Sequence, residues 1–147
     1  MGVASSEKFL FNGTVVYPTE IFFELMEKGH YTCYLKEDAA LPIMYLDDCI
    51  DALMMFLKAD KNKLKRTVYN LGGIKVVPKE FCDAVLKFFP GCTVEYKPDF
   101  RQDIAEQWPL CLDDSTSYED WGWRYNITVD DFAKRIYDGI DPALKKK

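Results

Sequence analysis

The stretch Tyr96-Lys-Pro-Asp-Phe-Arg-Gln-Asp-Ile-Ala-Glu-Gln-Trp-Pro109 sets one arginine among carboxylates and closes on a tryptophan. Asp113-Asp114-Ser115 and Trp121-Gly122-Trp123 follow closely. These residue types have uses in ligand binding. The planar guanidinium of Arg101 suits a two-pronged grip on a carboxylate. An indole such as that of Trp108 needs a cleft or core to shelter it, and it can close over a small ligand. The window therefore reads as one wall of a binding site.

A reaction centre does not accompany it. A dinucleotide cradle needs a strand, then Gly-x-Gly-x-x-Gly at the mouth of a helix, so that backbone N–H groups approach the pyrophosphate. Gly72-Gly73 follows a β-rich run but lacks the third glycine, and it reads as a turn. There is no Walker loop and no Gly-x-Ser-x-Gly elbow. No Tyr-x-x-x-Lys pair exists to abstract a proton; Tyr96 is followed directly by Lys97. His30, the single histidine, stands beside Gly29 at a predicted helix end, where a cationic imidazole complements the helix dipole. Asp47-Asp48 and Asp113-Asp114 read as helix N-caps. The five cysteines, Cys33, Cys49, Cys82, Cys92 and Cys111, are irregularly spaced and fit neither a disulfide framework nor a zinc site. Catalytic residues and metal ligands are therefore assigned to none of these groups.

The elements that must position the window follow from periodicity. A helix is expected from Pro18, with Ile21, Phe22, Leu25 and Met26 inward and Gly29 as its cap. Tyr31–Lys36 alternates and reads as a strand, and Leu41–Leu46 as a short extended segment. A helix is expected from about Asp47 to Lys58, burying Ile50, Leu53, Met54 and Leu57 as its apolar stripe. Thr67–Leu71 reads as a buried strand. Pro78 opens another helix with Phe81, Cys82, Val85, Leu86 and Phe89 inward, Thr93–Tyr96 is a strand, and a last helix begins near Val129 and buries Phe132, Ile136 and Ile140. Strands alternating with helices imply an α/β architecture.

At 147 residues with 48% hydrophobic and 29% charged side chains, the chain has enough apolar material for a core and an ordinary soluble surface. A net charge of −5 excludes the basic footprint of a nucleic-acid binder. Lys145-Lys146-Lys147 reads as a solvated tail. No apolar run approaches membrane-spanning length, and the amino terminus shows neither a signal core nor a transit-peptide pattern, so a soluble, cytoplasmic protein is expected.

From about Gly13 to Ile140 the sequence resembles the carboxyl-terminal half of the short-chain L-threonine 3-dehydrogenases. These are extended short-chain dehydrogenases (extended SDR), relatives of the nucleotide-sugar epimerases. The matching segments are Gly13-Thr14…Tyr17…Glu20-Ile-Phe22, Tyr31–Lys36, Leu41-Pro-Ile-Met-Tyr-Leu-Asp-Asp-Cys49 and Thr67-Val-Tyr-Asn70. Tyr96–Pro109, Asp113-Asp-Ser115 and Asp120-Trp-Gly-Trp123 complete the match. Arg-Gln-x-Ile-Ala-x-x-Trp-Pro is specific to this branch; Trp-Gly-Trp is shared more widely.

The resemblance implies the C-terminal portion of an extended-SDR Rossmann-type α/β fold: a substrate-binding lobe with the last sheet strands, lacking the N-terminal dinucleotide-binding half. Residues 13–141 would form the substrate-binding region, 1–12 a poorly matched N-terminal segment and 142–147 a basic tail. The family reaction passes a hydride from Cβ of L-threonine to NAD and yields 2-amino-3-ketobutyrate. In the family, the other half holds the glycine-rich loop, the catalytic Ser/Thr and the Tyr-x-x-x-Lys pair. By resemblance Thr14 lies in the substrate loop, Trp108 closes the pocket, and Arg101 is a carboxylate or structural partner. NAD is the family cofactor, and none is expected to bind this chain alone. The expected partners are L-threonine or a similar amino acid, and either a complementing N-terminal half or a second copy. The family adds a mitochondrial alternative to the cytoplasmic location. Where the family reads Thr-Thr-Asp-Tyr, this chain reads Thr14-Val15-Val16-Tyr17, and Val15 cannot hydrogen-bond an amino acid. Two alternatives stand beside this: a non-catalytic remnant or interaction module of the same fold, and a nucleotide-sugar epimerase relative.

Overall fold

The computed structural model describes residues 1–8, 13 and 15–145. Helix α1 (Tyr17–Lys28) forms as its pattern requires. Pro18 occupies the first turn, Ile21, Phe22 and Leu25 are buried, and Gly29 ends it at φ 70, with its N–H on the Leu25 carbonyl. The left-handed backbone there is one that a side chain would resist. The chain then enters β2 (His30–Cys33), which pairs in parallel with β5 (Thr93–Tyr96), His30 opposite Thr93. A second sheet has the order β1-β3-β4. In it β1 (Gly2–Ala4) runs parallel to β3 (Leu41–Tyr45), and β4 (Ile74–Val76) runs antiparallel to β3. All five residues of β3 are buried, as befits a strand flanked on both sides.

The main core lies among α1, α3 (Pro78–Leu86) and α6 (Val129–Gly139). Tyr17, Phe22, Phe81, Phe132 and Ile136 are fully buried. Phe81 meets Tyr17 and Phe22 edge to face at 6.0 and 6.2 Å, and lies 5.8 Å from Phe132. Thr128 caps α6, its hydroxyl accepting from the Asp131 N–H at 3.0 Å.

Three sequence expectations need correction. The strand expected over Thr67–Leu71 is irregular chain, and the strand lies later, at β4. Its backbone and side chains bond to the region of α5 (Ser115–Trp121) instead of to a ladder. The Ser117 hydroxyl donates to the Asn70 carbonyl at 2.5 Å, the Asn70 amide to the Asp113 carbonyl, and the Gly72 N–H to the Asp114 carboxylate. Gly73, read as part of a turn, is a close-approach glycine: a Cβ there would sit 2.4 Å from the Ile43 carbonyl oxygen.

The apolar stripe of α2 (Leu46–Lys58) is not buried. Ile50, Leu53 and Leu57 are 50%, 53% and 67% exposed, and Ala52 is the buried residue of the helix. Nor do Asp47 and Asp48 cap it. The helix starts at Leu46, and Asp48 instead grips Arg135 of α6 at 2.6 and 2.7 Å. Finally, β2 is shorter than the expected strand: Tyr34 and Leu35 are buried, and the Lys36 N–H turns to the Gln102 side chain at 2.8 Å.

Candidate functional site

The Tyr96–Trp123 window divides into two parts. The first is built on α4 (Phe100–Ala105), a six-residue helix that the sequence pattern did not suggest. Asp99 caps it, accepting the Arg101 N–H at 2.9 Å. The Arg101 side chain folds back on the same carboxylate, with Nε at 3.0 Å from both oxygens and Nη2 at 2.7 Å, and so holds the Asp99 carboxyl below its usual range. The other face of the guanidinium lies 3.2 Å from the centre of the Tyr34 ring. Burial raises the Tyr34 phenol, which therefore keeps its proton and donates to the Gly13 carbonyl at 3.2 Å. A physical chain thus runs from α4 through Arg101 and Tyr34 to the segment that contains Thr14. Thr14 itself lies outside the described residues.

Gln102 is the residue that sequence reasoning missed. It is buried, accepts the Lys36 N–H and donates to Glu106 at 2.9 Å, while Lys36 Nζ reaches the same Glu106 oxygen at 2.6 Å. This pins α4 to the chain leaving β2. Trp108 follows, half-buried and packed against the main core. It lines a cleft of about 270 Å³ with Lys36, Ala39, Gln102, Glu106 and Leu110. Arg101 opens on a different cleft, about 300 Å³, beside Glu20, His30, Tyr31 and Tyr34. Glu20 also borders a third, of about 110 Å³, together with Val16, Thr19 and Phe23. Arg101 and Trp108 therefore flank Gln102 without facing one ligand space, and Arg101 is brought to the Gly13 segment through Tyr34. The Val15 side chain packs on Gly2 so closely that a Cβ at Gly2 would lie 2.0 Å from it. This valine faces β1.

The second part of the window is a clamp. Asp120 is buried and accepts from the Tyr69 hydroxyl at 2.7 Å and from the Lys65 N–H at 3.2 Å, with Lys65 Nζ at 3.0 Å. The Tyr69 bond, and then Lys65, hold its carboxyl below the ordinary value. Trp121 stacks on Trp123 and Trp123 on Tyr125, each pair 6.1 Å apart. These rings fasten α5 to α2 and to the 65–72 segment. Of the aspartate pair expected to cap α5, Asp113 accepts the Ser115 N–H at 3.0 Å, and Asp114 is directed to Gly72. His30, expected to complement the dipole of α1, bonds across to Thr93 and Glu95 at 2.9 and 3.2 Å.

A pyrophosphate cradle does not fit the described residues. β3 passes into α2 without a glycine, and the Tyr125 hydroxyl accepts the Tyr45 N–H at 3.2 Å at that junction. The glycines with positive φ, Gly29, Gly91 and Gly122, lie in helix ends and a turn. Among the described residues no group of three or more His, Cys, Asp or Glu could hold a metal, and no helix is long and apolar enough to cross a membrane. What the arrangement offers is shape, an indole and a braced helix.

No protein-family model matches the chain. It is 36% identical over 129 residues to the mitochondrial L-threonine 3-dehydrogenase of Bos taurus, a match covering 87% of this chain and 35% of that protein. It is 39% identical over 148 residues to an uncharacterized epimerase/dehydratase of Staphylococcus haemolyticus, covering 99% of this chain and 46% of the relative. Among solved structures, the L-threonine dehydrogenase of Phytophthora infestans superposes with a TM-score of 0.85 at 40% identity, over 92% of this chain and 44% of that one. The chain spans less than half the length of these relatives. With its α/β architecture, the chain belongs with the L-threonine 3-dehydrogenases and epimerase/dehydratases of the extended short-chain class, as the counterpart of their carboxyl-terminal half.

Proposed function

We propose that this chain supplies the amino-acid lid of an NAD-dependent L-threonine 3-dehydrogenase. The cofactor site and the proton-abstracting pair then reside in a dinucleotide-binding half of the kind its relatives carry. The observation behind this reading is the braced Trp108, half-buried on a cleft beside a helix that Asp99, Gln102 and Lys36 hold in place. An indole fixed in this way can exclude water from a small amino acid while the remaining groups act on it. When bound, NAD would accept the hydride from Cβ of threonine. The residues of this chain orient and enclose: Trp108 covers, and Arg101, its fork already engaged by Asp99, steadies Tyr34 and the Gly13 carbonyl. Thr14 is the proposed contact to the amino acid.

The test is a fusion in which the amino-terminal half of the Phytophthora infestans relative precedes the full chain. NADH should form from NAD and L-threonine with the fusion, and not with the 147-residue chain alone. Trp108→Ala in the fusion should lower kcat/KM about tenfold to a hundredfold, corresponding to about 1.4–2.8 kcal/mol of lost contact. A folded fusion that is silent with L-threonine but active on a nucleotide sugar would replace this reading with the epimerase one.

A further inference from the structure

The outer side of α2 is the largest feature that the proposed lid does not use. Ile50, Leu53, Met54, Met55 and Leu57 are all exposed along one short helix. Exposed apolar groups scattered singly need no explanation, but a contiguous face of this kind marks an interaction surface. It continues into a pocket of about 180 Å³ between α2 and the 67–71 segment, lined by Ala52, Leu53, Phe56, Leu71 and Trp121. Beside it, β1 is the edge of its sheet. It bonds to β3 on one side, in parallel, and its Val3 side chain is exposed. An open parallel edge next to an uncovered helix face is an unusual pair of neighbours, because parallel sheets are normally covered on both faces and continued by further strands.

We infer that the outer face of α2 and the free edge of β1 together form the docking surface for a parallel-sheet, dinucleotide-binding α/β half. This rests on the family reading above. That half would add a strand to β1 and lay a helix face over Leu53 and Leu57. Two observations favour this occupant over a second copy of the chain. The relatives carry more than half of their length outside the matched span, enough for a complete α/β layer. A two-fold pairing of identical edges would also run antiparallel, and with three residues per strand it would leave most of the α2 stripe uncovered.

The experiment uses the full chain alone and the fusion described above, each with and without Leu57→Glu. Hydrogen exchange is read at the α2 amides, melting temperature by calorimetry and mass by sedimentation. The expected result is a chain whose α2 exchanges quickly alone and slowly in the fusion. Leu57→Glu should leave the melting temperature of the lone chain unchanged and lower that of the fusion by roughly 5 °C or more. Fast α2 exchange in the fusion overturns the proposal, as does a fusion that fails to fold, since this face is held to complete such a half. A lone-chain dimer that Leu57→Glu dissociates would assign the surface to a second copy, and this too overturns it. A fusion protected at α2 that makes no NADH from threonine supports the docking surface while removing the functional reading.

Discussion

On the α1–α3–α6 side, Tyr17, Phe22, Phe81 and Phe132 are fully buried and their rings interlock. On the α2 side, Ile50, Leu53 and Leu57 stand in solvent, although their spacing along the helix is as regular as that of Ile21, Phe22 and Leu25 in α1. Helical periodicity records that a face is to be covered and is silent on what covers it. The first side is covered by its own neighbours in sequence and space. The second has its polar fastenings in place, Asp120 with Tyr69 and Asp48 with Arg135, but no layer over its outer face among the described residues. Buried polar ties and an open apolar face together describe one wall of an interface.

The contrast can be broken by substitution. The largest effect is expected at Phe81, where Phe81→Ala should cost about 3–5 kcal/mol by urea unfolding. A domain of this kind has only about 5–15 kcal/mol in total, so a variant that loses less than a third of that cost would show the main core to be loose. Next comes Gly73→Ala at the seam between the two sides. Its new Cβ would meet the Ile43 carbonyl, which is backbone and cannot swing away, and about 1–3 kcal/mol should be lost, with weakened β3–β4 pairing by hydrogen exchange. Unaltered exchange there would mean that β4 does not sit against β3 as described. On the open side, Tyr69→Phe removes a donor to the buried Asp120 carboxylate and should cost about 1–2 kcal/mol. The loss should appear as faster proteolysis of the 60–72 segment; proteolysis as slow as in the parent would mean that the stacked tryptophans, not this bond, hold the segment.

The same contrast explains what could be read in advance. Helices α1, α3 and α6 were legible because their stripes pack on elements within the described chain. The inward stripe on α2 was misjudged because burial depends on a neighbour the pattern does not encode. Thr67–Leu71 has strand composition, but Ser117 and Asp114, more than 40 positions away, take its backbone bonds. β1 is three small or β-branched residues with no alternation to notice. In the candidate site, Arg101 and Trp108 were visible from residue type alone, and Gln102 was not. A glutamine in an acidic run has no signature, and its burial comes from Lys36, 66 positions earlier. The separation of Arg101 and Trp108 into two clefts depends on which way each side chain leaves a six-residue helix or the turn after it, and neither direction is written in spacing.

The smallest effect should come from acid at the exposed rim of the closed side. Glu95 accepts from Lys97 at 2.8 Å, Thr32 at 2.9 Å and His30 at 3.2 Å across the β2–β5 pair. Lys97 first, then Thr32 and His30, lower its carboxyl from 4.5 to about 2. A carboxyl depressed by folding contributes stability fully above its unfolded value and loses it as pH falls through the folded one, so the window lies between about 4.5 and about 2. The side chain is well exposed, so solvent and salt screen the gain and it should be slight. Melting temperatures measured across that window should fall slightly more for the parent than for Glu95→Gln, and 1 M salt should remove most of the difference. If Glu95→Gln tracks the parent at every pH and salt concentration, the rim contributes shape alone. The closed side would then rest on its aromatic core, and its contrast with the α2 side would be one of apolar coverage only.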